Sequence, residues 1–265
     1  MEKEELLVVQ KVNDLRDQHP IIGTRKLHCM LQPFLQADAI KMGRDGLFNL
    51  LGKNKLLVRR RKRRTFTTQS HHWLKKYTNL TKDWHPTAPE QLWVADITYV
   101  PRHRGFLYLS LITDAYSHKI VGYHIAETLK TASTVKALQM ALLKRKESPC
   151  RLIHHSDRGI QYCSSEYVTL LKLENIKISM TENSDPLDNP VAERINGIIK
   201  HEYLKHYRIN NVDEATDLLR DVVNRYNCLR PHQSIQMKTP ETVHEQKLLI
   251  NKRWNRHKQL ISIAT

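Results

Sequence analysis

The sequence contains no apolar run of the roughly 18 or more residues that a membrane-spanning helix needs. Its first residues, Met1 to Glu5, are mixed in charge and lack the apolar core of a secretory signal peptide. These two absences argue against a membrane protein and against an exported protein. We therefore expect the protein to work in the cytoplasm.

Cysteine pairs are missing as well. The four cysteines lie far apart in the chain: Cys29, Cys150, Cys163 and Cys228. No two of them form a C-x-x-C pair, so neither a zinc knuckle nor a disulfide framework is supported, and we expect reduced, partly buried thiols. The pairs His71-His72 and His154-His155 have no matching cysteines, so we expect solvated or packed histidines there.

Positive charge is what the chain has in excess. It contains 43 lysines and arginines against 27 aspartates and glutamates, which gives a formal net charge of +16. This excess indicates a polyanionic partner, and nucleic acid is the first candidate, although a merely basic soluble protein stays open as an alternative. With 265 residues, 40% of them apolar, the chain is long enough for one main domain and a smaller one.

The first 58 residues have the pattern of a small helical module. Apolar residues recur at helical spacing in residues 1–18. Pro20 and Gly23 then break the helix and Thr24 can cap a second one, which should end before Pro33 because the residue preceding a proline is pushed out of the helical region.

A third helical piece follows around Gly43 to Leu51. Three short helices with a glycine-containing turn favour a helix-turn-helix module over residues 1–58. In that interpretation Arg25 and Lys26 are candidate DNA contacts. A helical bundle that only packs on the main domain is the alternative.

A dense basic run opens the segment 59–90. Six consecutive residues carry positive charge: Arg59, Arg60, Arg61, Lys62, Arg63 and Arg64. Such a run repels itself and is not expected to fold alone, whereas against phosphate it would release counterions and bind without reading sequence. We therefore interpret residues 59–90 as a basic linker that binds DNA; a solvated linker would look the same in sequence.

From Gln91 onward the pattern is that of alternating strands and helices. Three β-forming runs predict a meander, at Leu92 to Val100, Phe106 to Thr113 and Lys119 to Ile125. Two later strands alternate with four predicted helices: strands Arg151 to His155 and Ile176 to Met180; helices Thr131 to Lys146, Ser164 to Glu174, Val191 to Tyr207 and Val212 to Tyr226. This order predicts an α/β domain over residues 91–228, a mixed sheet flanked by helices, with a basic extension at 229–265.

Three acids in this domain are candidate metal ligands. Asp96 lies inside an apolar strand, where an unpaired carboxylate is costly and needs compensation. Asp157 directly follows a strand, and Glu193 lies in the first turn of a helix for which Asn189 can be the N-cap and Pro190 the first residue. Three carboxylates without fixed cysteine ligands suit hard, oxygen-loving cations.

Other acids compete with these three on residue type alone. Asp114 stands at a strand end, where it could cap the turn, and Asp185 and Asp188 precede the helix of Glu193. Glu182 and Glu202 lie in the same part of the chain. Residue types and positions do not choose between Glu193 and Asp188.

Five motifs in fixed order narrow the choice. They are Trp93 to Tyr99, Asp114 to Gly122, His155 to Tyr162, Asp188 to Glu193, and Tyr226 to Pro240, with 35 residues between Asp157 and Glu193. In these motifs the chain resembles the DDE transposase and retroviral-integrase superfamily. More narrowly, it resembles the second-reading-frame (OrfB) transposases of the bacterial insertion-sequence family three, whose small helical module the segment His19 to Leu27 also resembles.

This resemblance implies an RNase H-like core in which Asp96, Asp157 and Glu193 hold two Mg²⁺ or Mn²⁺ ions. It also implies that Lys200 contacts the DNA end; an ordinary solvated lysine is the alternative. The implied activity is metal-dependent cleavage and strand transfer at insertion-sequence ends. The implied partners are the terminal inverted repeats, target DNA, further copies of the chain on DNA, and a first-reading-frame OrfA partner or fusion, in the bacterial cytoplasm at the nucleoid.

The chain departs from the family pattern at two places, and two other functions stay open. Residue 118 is histidine where arginine is common, and residue 184 is serine where glycine is common. A structure-specific nuclease on the same fold would need the same metals. An inactive DNA-binding regulator would need only the basic segments.

Overall fold

Three helices form the N-terminal part of the protein in the computed structural model, which describes residues 2–58, 73–82, 84–145, 151–182 and 189–250. They are α1 (Glu2–Gln18), α2 (Thr24–Ala37) and α3 (Arg44–Lys53). Their apolar faces meet in one buried cluster: Val8, Val12, Leu27, Leu31, Leu47 and Leu51. The basic run Arg59–Arg64, the pair His71-His72, Cys150, and the residues Ser184, Asp185 and Asp188 lie outside the described residues.

Helix α2 corrects two details of the sequence interpretation. It runs through Pro33 to Ala37, and Gly23, with extended backbone, occupies its N-cap position, so Thr24 is not the cap. Burial of Leu31 and Leu35 on either side of the proline stabilises the last turn enough to offset the lost backbone hydrogen bond. Tertiary packing therefore overrides the local preference.

A five-stranded mixed sheet forms the centre of the main domain, as predicted. Its strands are β1 (Leu92–Pro101), β2 (Phe106–Asp114), β3 (Ile120–Ala126), β4 (Ile153–Ser156) and β5 (Lys177–Met180). The spatial order is β3-β2-β1-β4-β5, with β2 antiparallel to β1 and β3, and β4 parallel to β1 and β5. Strand β1 is therefore central and meets both halves of the sheet.

Helices cover both faces of this sheet. On one face Trp93 and Ala95 of β1 are buried with α4 (Thr131–Lys144), α5 (Ile160–Cys163) and α6 (Ser165–Leu173). On the other face lie α7 (Pro190–Ile198) and α8 (Val212–Cys228). Because side chains alternate along a strand, Asp96 points to the same face as Val94, which packs with Ala192 of α7.

One glycine permits the close approach of α4 to the sheet. A Cβ atom on Gly122 of β3 would lie 2.1 Å from the carbonyl oxygen of Ala137. Real Cβ atoms do not come so close to backbone, so any larger residue at this position would push α4 away from the sheet.

The helix that begins at Pro190 changes character before it ends, contrary to the single helix predicted for Val191 to Tyr207. After Ile198 the chain forms a π-helical turn, Ile199–Tyr203, and then a 3₁₀ turn, Leu204–His206. Tyr203 is buried, and its hydroxyl lies 2.7 Å from Nδ1 of His19, the residue that follows α1. The π-helical turn thus contains a buried side chain that contacts His19. Turns of this kind are frequent at functional sites.

The segment 229–250 folds back onto the core. Arg230 is 1% exposed, makes a two-pronged ion pair with Glu202 at 2.8 and 3.0 Å, and lies 2.8 Å from His232. Further along, the Tyr116 hydroxyl donates to the Leu248 carbonyl oxygen and accepts from the amide of Ile250, each at 2.8 Å. A short helix, α9 (Pro240–Glu245), lies between these two attachments.

Aromatic and thiol side chains differ in burial. The β-forming run Leu92 to Val100 predicts core positions for its aromatic residues; Trp93 is buried there, but Tyr99 is 45% exposed and lies against Phe106, so a core position for Tyr99 is wrong. Cys29, Cys163 and Cys228 are free thiols. No helix in the described part of the chain combines the length and the apolar character needed to span a membrane.

Candidate active site

Asp96 is the centre of the first acidic group, which we call the Asp96 cluster: Asp96, Asp157 and Glu193. Strand β1 holds Asp96 half-buried, and Nδ2 of Asn196 donates to its Oδ2 at 2.7 Å. The pKa of Asp96 is raised to about 7, first by burial and then by the negative charges of Asp157 and, to a smaller extent, Glu193. The hydrogen bond from Asn196 opposes this rise because it favours the charged form.

Strand pairing brings Asp157 to Asp96. In the parallel register of β1 and β4, Val94 pairs with His155, so two residues further on Asp157 is level with Asp96. Oδ1 of Asp157 accepts a hydrogen bond from the amide of Gly159 at 3.0 Å, which fixes the carboxylate at the strand end. A Cβ on Gly159 would lie 3.0 Å from that oxygen, so a larger residue at this position would push the Asp157 carboxylate by a few tenths of an ångström.

Two asparagines attach the helix of Glu193 to β1. Asn189 occupies the N-cap position of α7, but its side chain does not cap the helix as predicted. Its Nδ2 donates instead to the carbonyl oxygen of Ala95 at 3.0 Å, while Asn196, one turn after Glu193, reaches Asp96. These bonds to consecutive residues of β1 place the exposed Glu193 beside Asp96.

The Asp96 cluster is close without being a closed ligand cage. The charges of Asp157 and Glu193 both raise the pKa of Asp96, yet the oxygens of the three carboxylates do not all lie within 4.8 Å of one another. All the ligand atoms on offer are carboxylate oxygens, the kind that Mg²⁺ and Mn²⁺ prefer. A cation among them would relieve the repulsion that raises the pKa of Asp96, so these residues fit a divalent ion.

A second group, which we call the Asp114 cluster, consists of Glu90, Asp114 and His244. Among the His, Cys, Asp and Glu side chains of the described residues, these three have potential metal-ligand atoms that all lie within 4.8 Å of one another. All three residues are buried. Nε2 of His244 lies 3.0 Å from Oε1 of Glu90, and its Nδ1 lies 3.0 Å from the hydroxyl of Ser117. Sequence reasoning missed Glu90 and His244 because they are more than 150 residues apart, without a spacing that signals contact.

The carboxylate of Asp114 is already satisfied by protein donors. Its Oδ1 accepts from the amides of Tyr116 and Ser117 and from the Ser117 hydroxyl, and its Oδ2 accepts from the amide of Glu90 at 2.8 Å. Burial raises the pKa of Asp114, whereas the nearby His244 acts to lower it. These contacts are those of a turn cap that also joins α9 to the sheet.

The predicted DNA contacts occupy different environments. Lys200, seven residues after Glu193, lies half-buried in the π-helical turn. Two regular α-helical turns would place both side chains on one side of the helix, but the chain between them is not regular α-helix throughout. Arg25 is exposed, but Lys26 is partly buried; its pKa is lowered to about 8, first by burial and then by Arg230, while Glu202 opposes the change.

A cavity of about 400 Å³ lies where α2 and α3 begin. It is lined by Gly23, Thr24, Arg25, Lys26, Arg44, Asp45, Phe48 and Gln233. Three of these side chains are basic, which suits an anionic partner.

The histidine pair His154-His155 is packed inside the sheet. Nε2 of His154 lies 2.9 Å from the hydroxyl of Tyr167, and burial lowers the pKa of His154 to about 3. Nδ1 of His155 lies 2.8 Å from the hydroxyl of Ser179. Both are structural contacts.

Comparisons with known proteins assign the family. Two family models, both described as "Integrase core domain", match residues 86–186 and 174–240, which together are more than half of the chain. The fold also resembles a chain in the simian T-cell lymphotropic virus intasome solved by cryoEM with PP2A regulatory subunit B56 gamma. The TM-score is 0.53 at 15% identity, and the match covers 88% of this chain and 74% of that chain.

Bacterial insertion-sequence proteins are similar in sequence. The Shigella sonnei protein described as "Insertion element IS600 uncharacterized 31 kDa protein" is 39% identical over 84% of this chain and 81% of its own length. The Shigella sonnei transposase for IS629 is 31% identical over 84% of this chain and 72% of its own. The Escherichia coli transposase InsF for IS3fB is 33% identical over 64% and 59%.

The predicted RNase H-like fold and the predicted enzyme class are thereby confirmed: proteins with this core cleave DNA and transfer its strands. The integrase core with its buried acidic groups indicates the use of a divalent metal. The chain belongs to the integrase core family and, within it, to the DNA transposases of the bacterial insertion-sequence family three.

Proposed function

We propose that Asp96, Asp157 and Glu193 are the catalytic residues with which this transposase cleaves the ends of its insertion sequence and joins them to target DNA. The observation that carries the proposal is the raised pKa of Asp96, which is caused in part by Asp157 and Glu193. Three acids from a strand, a strand end and a helix repel one another at the edge of the sheet. Acids whose pKa is shifted by burial and by one another cluster at functional sites, where such shifts serve the chemistry.

The same three carboxylates would hold two Mg²⁺ or Mn²⁺ ions. Bound there, such a pair supplies the charge that activates an attacking oxygen and stabilises the leaving oxygen of a phosphodiester. The protein's own part is to hold the ligands in place. Asn196 orients the Asp96 carboxylate, Asn189 fixes the start of α7, and the Gly159 amide orients Asp157.

DNA would be held by the basic residues on either side of this site. Lys200, on the turn that follows the helix of Glu193, would contact the DNA end. Arg25 and Lys26, with the run Arg59–Arg64, would bind phosphates of the terminal inverted repeat and the target. In this arrangement residues 1–58 are a helix-turn-helix module, 59–90 a basic linker, 91–228 the catalytic core and 229–265 a basic extension.

We further propose that the active form is an assembly of several copies on DNA. Two ends must be held while one target is cut, so one copy for each end is the simplest arrangement. An OrfA partner or a frameshift fusion would supply additional binding to the ends. The assembly would act at the nucleoid in the bacterial cytoplasm.

The test is a joining reaction with a pre-cut DNA end that carries a 3′-hydroxyl, a target duplex and Mg²⁺. We expect joined product with the natural chain and none with Glu193→Gln, which keeps the shape of the side chain but loses its charge. Glu174→Gln, at an exposed acid after α6, is the matched control and should join normally. Binding of both variants to the DNA end should equal that of the natural chain.

The two other functions give different results in the same reaction. A nuclease would cleave an uncut end in Mg²⁺ but give no joined product from the pre-cut one. A regulator would bind without cleaving or joining. Normal joining by Glu193→Gln would contradict the assignment of the third acid.

A further inference from the structure

The segment 73–82, which the sequence presents as linker, packs against the sheet beside the candidate active site. Leu74 and Tyr77 pack on the buried cluster that contains Tyr162, Cys163 and Met180. The amide of Leu80 donates to the Ser179 hydroxyl of β5 at 2.8 Å. Nζ of Lys82 pairs with the carboxylate of Glu182, two residues after β5, at 3.2 Å. The segment therefore follows the β5 edge of the sheet.

The outer side of this segment carries an aromatic ring and two cations. Trp73 is 92% exposed, and Lys75 and Lys76 are exposed as well. Nζ of Lys75 lies 5.5 Å from the ring centre of Tyr77, so this lysine stays above the packed aromatic. An indole this exposed contributes little to the packing of the described residues. The lysines beside it favour an anionic partner that also offers a flat apolar surface.

Electrostatics place the segment close to the acids. The thiol of Cys163 has a raised pKa, caused first by burial; Asp157 raises it further, whereas Lys76 and Arg158 act to lower it. Lys76 and Asp157 are thus both near the same sulfur atom. Tyr162, the next residue, is influenced by Asp96 and Asp157.

We propose that Trp73, Lys75 and Lys76 form a DNA-contact strip beside the active site, in which Trp73 stacks on an unpaired base at the DNA end and the lysines contact its phosphates. The proposal rests on the proposed function, because it takes the substrate to be a DNA end. Bases inside a duplex have both faces covered by their neighbours, and the last pair of a closed end exposes one face, whereas an unpaired terminal base can turn toward the indole and stack on it fully. The strip would hold the opened strand next to the acids.

The test uses two DNA duplexes copied from the end of the element that encodes the chain, one fully paired and one with three unpaired terminal nucleotides. Fluorescence anisotropy with the full chain in Ca²⁺ measures the Kd for each. We expect Trp73→Ala to weaken binding to the unpaired end about 10-fold, the effect of losing one stacked base, and to leave binding to the paired duplex unchanged. Trp73→Phe should restore most of the loss.

The lysines should behave differently. Lys75→Ala combined with Lys76→Ala should weaken binding to both duplexes and reduce the slope of log K against log salt by about 1.8, as expected for two lost phosphate contacts. Leu143→Ala on α4, at a side chain that is 87% exposed, and Lys177→Ala at the start of β5 are the matched controls and should bind like the natural chain.

A replaced terminal base reports the stacking directly. With 2-aminopurine as the outermost unpaired base, binding of the natural chain should quench its fluorescence, and binding of Trp73→Ala should not. Equal Kd values for Trp73→Ala and the natural chain on the unpaired end, or equal losses on both duplexes, would overturn the strip. A natural chain that stacks the base but joins no DNA would contradict the proposed function instead, so the two failures are distinguishable.

Discussion

The two acidic clusters of this protein differ in what surrounds each carboxylate. Burial raises the pKa of Asp96 and of Asp114 alike. Around Asp96 the next influence is another carboxylate, and two protein groups donate hydrogen bonds to it, the Asn196 side chain and the backbone of Ile97. Around Asp114 four protein donors converge, and the neighbouring His244 favours the charged form.

This difference distinguishes an acid that is ready for a ligand from one that stabilises the fold. If the distance between potential ligand atoms were the only criterion for a metal site, the Asp114 cluster would be chosen, because its ligand atoms lie within 4.8 Å of one another. Yet both carboxylate oxygens of Asp114 already accept hydrogen bonds, and a metal would have to displace these donors. Unrelieved repulsion is the better guide to a cation site, because only there does a bound cation remove an existing penalty.

The largest effect should come from Asp96→Asn. Joining of a pre-cut end should fall by at least about 100-fold to 1000-fold, the range found when one electrostatic element of an active site is removed. Stability should stay equal or rise, because a charge that repels its neighbours is gone. Joining assays and the Tm measure the two effects; a Tm lower by several degrees would place Asp96 with the structural acids.

Asp114→Asn should have the opposite profile. The amide cannot accept all four hydrogen bonds, so buried donors lose their partner and the free energy of unfolding should fall by about 3 kcal/mol. Urea denaturation measures this loss, and Asp217→Asn, at an exposed acid of α8, should change it little. If Asp114→Asn keeps full stability but loses joining, the Asp114 cluster takes part in the reaction.

A smaller effect, due mainly to burial, should appear at His19. Burial and the cations Arg230 and Arg225 lower its pKa from the usual 6.5 to about 4. Below pH 6.5 the unfolded chain binds a proton here that the folded chain does not. Stability should therefore fall as the pH drops from 7 to 5, by about 2 kcal/mol from this residue.

Denaturation at several pH values measures the contribution of His19. His19→Gln, which keeps a polar group opposite Tyr203, should flatten the dependence in this range. His206→Gln, at an exposed histidine, is the control and should leave it unchanged. A dependence that persists in His19→Gln would assign the lost stability to other groups.

Much of the fold followed from local pattern, and the failures have physical causes. Alternation and β-forming runs predicted all five strands to within about two residues, because each strand buries its own apolar residues. Pro33 misled because its helix is held by tertiary packing of Leu31 and Leu35. The π-helical turn at Lys200 coincides with the contact of Tyr203 with His19, which spans 184 residues and which no local pattern reveals.

The candidate site likewise contains residues that the sequence located and residues whose role it did not reveal. Motifs in the sequence located Asp96, Asp157 and Glu193, and the assignment of these acids as catalytic residues stays a prediction. The roles of Asn189 and Asn196 could not be read from the sequence: an asparagine before a helix predicts a cap, and only the fold shows the two side chains bonded to β1. Trp73 and Lys76 could not be found from sequence, since a polar, proline-containing stretch looks like any linker.

The ion pair of Arg230 with Glu202 has a practical consequence for protein engineering. A polypeptide that stopped at residue 228 would remove the partner of Glu202 and uncover Tyr226 and Tyr116, which the returning segment now shields. A purification tag or fused reporter therefore belongs after Ile250, whose amide makes the last described attachment to Tyr116.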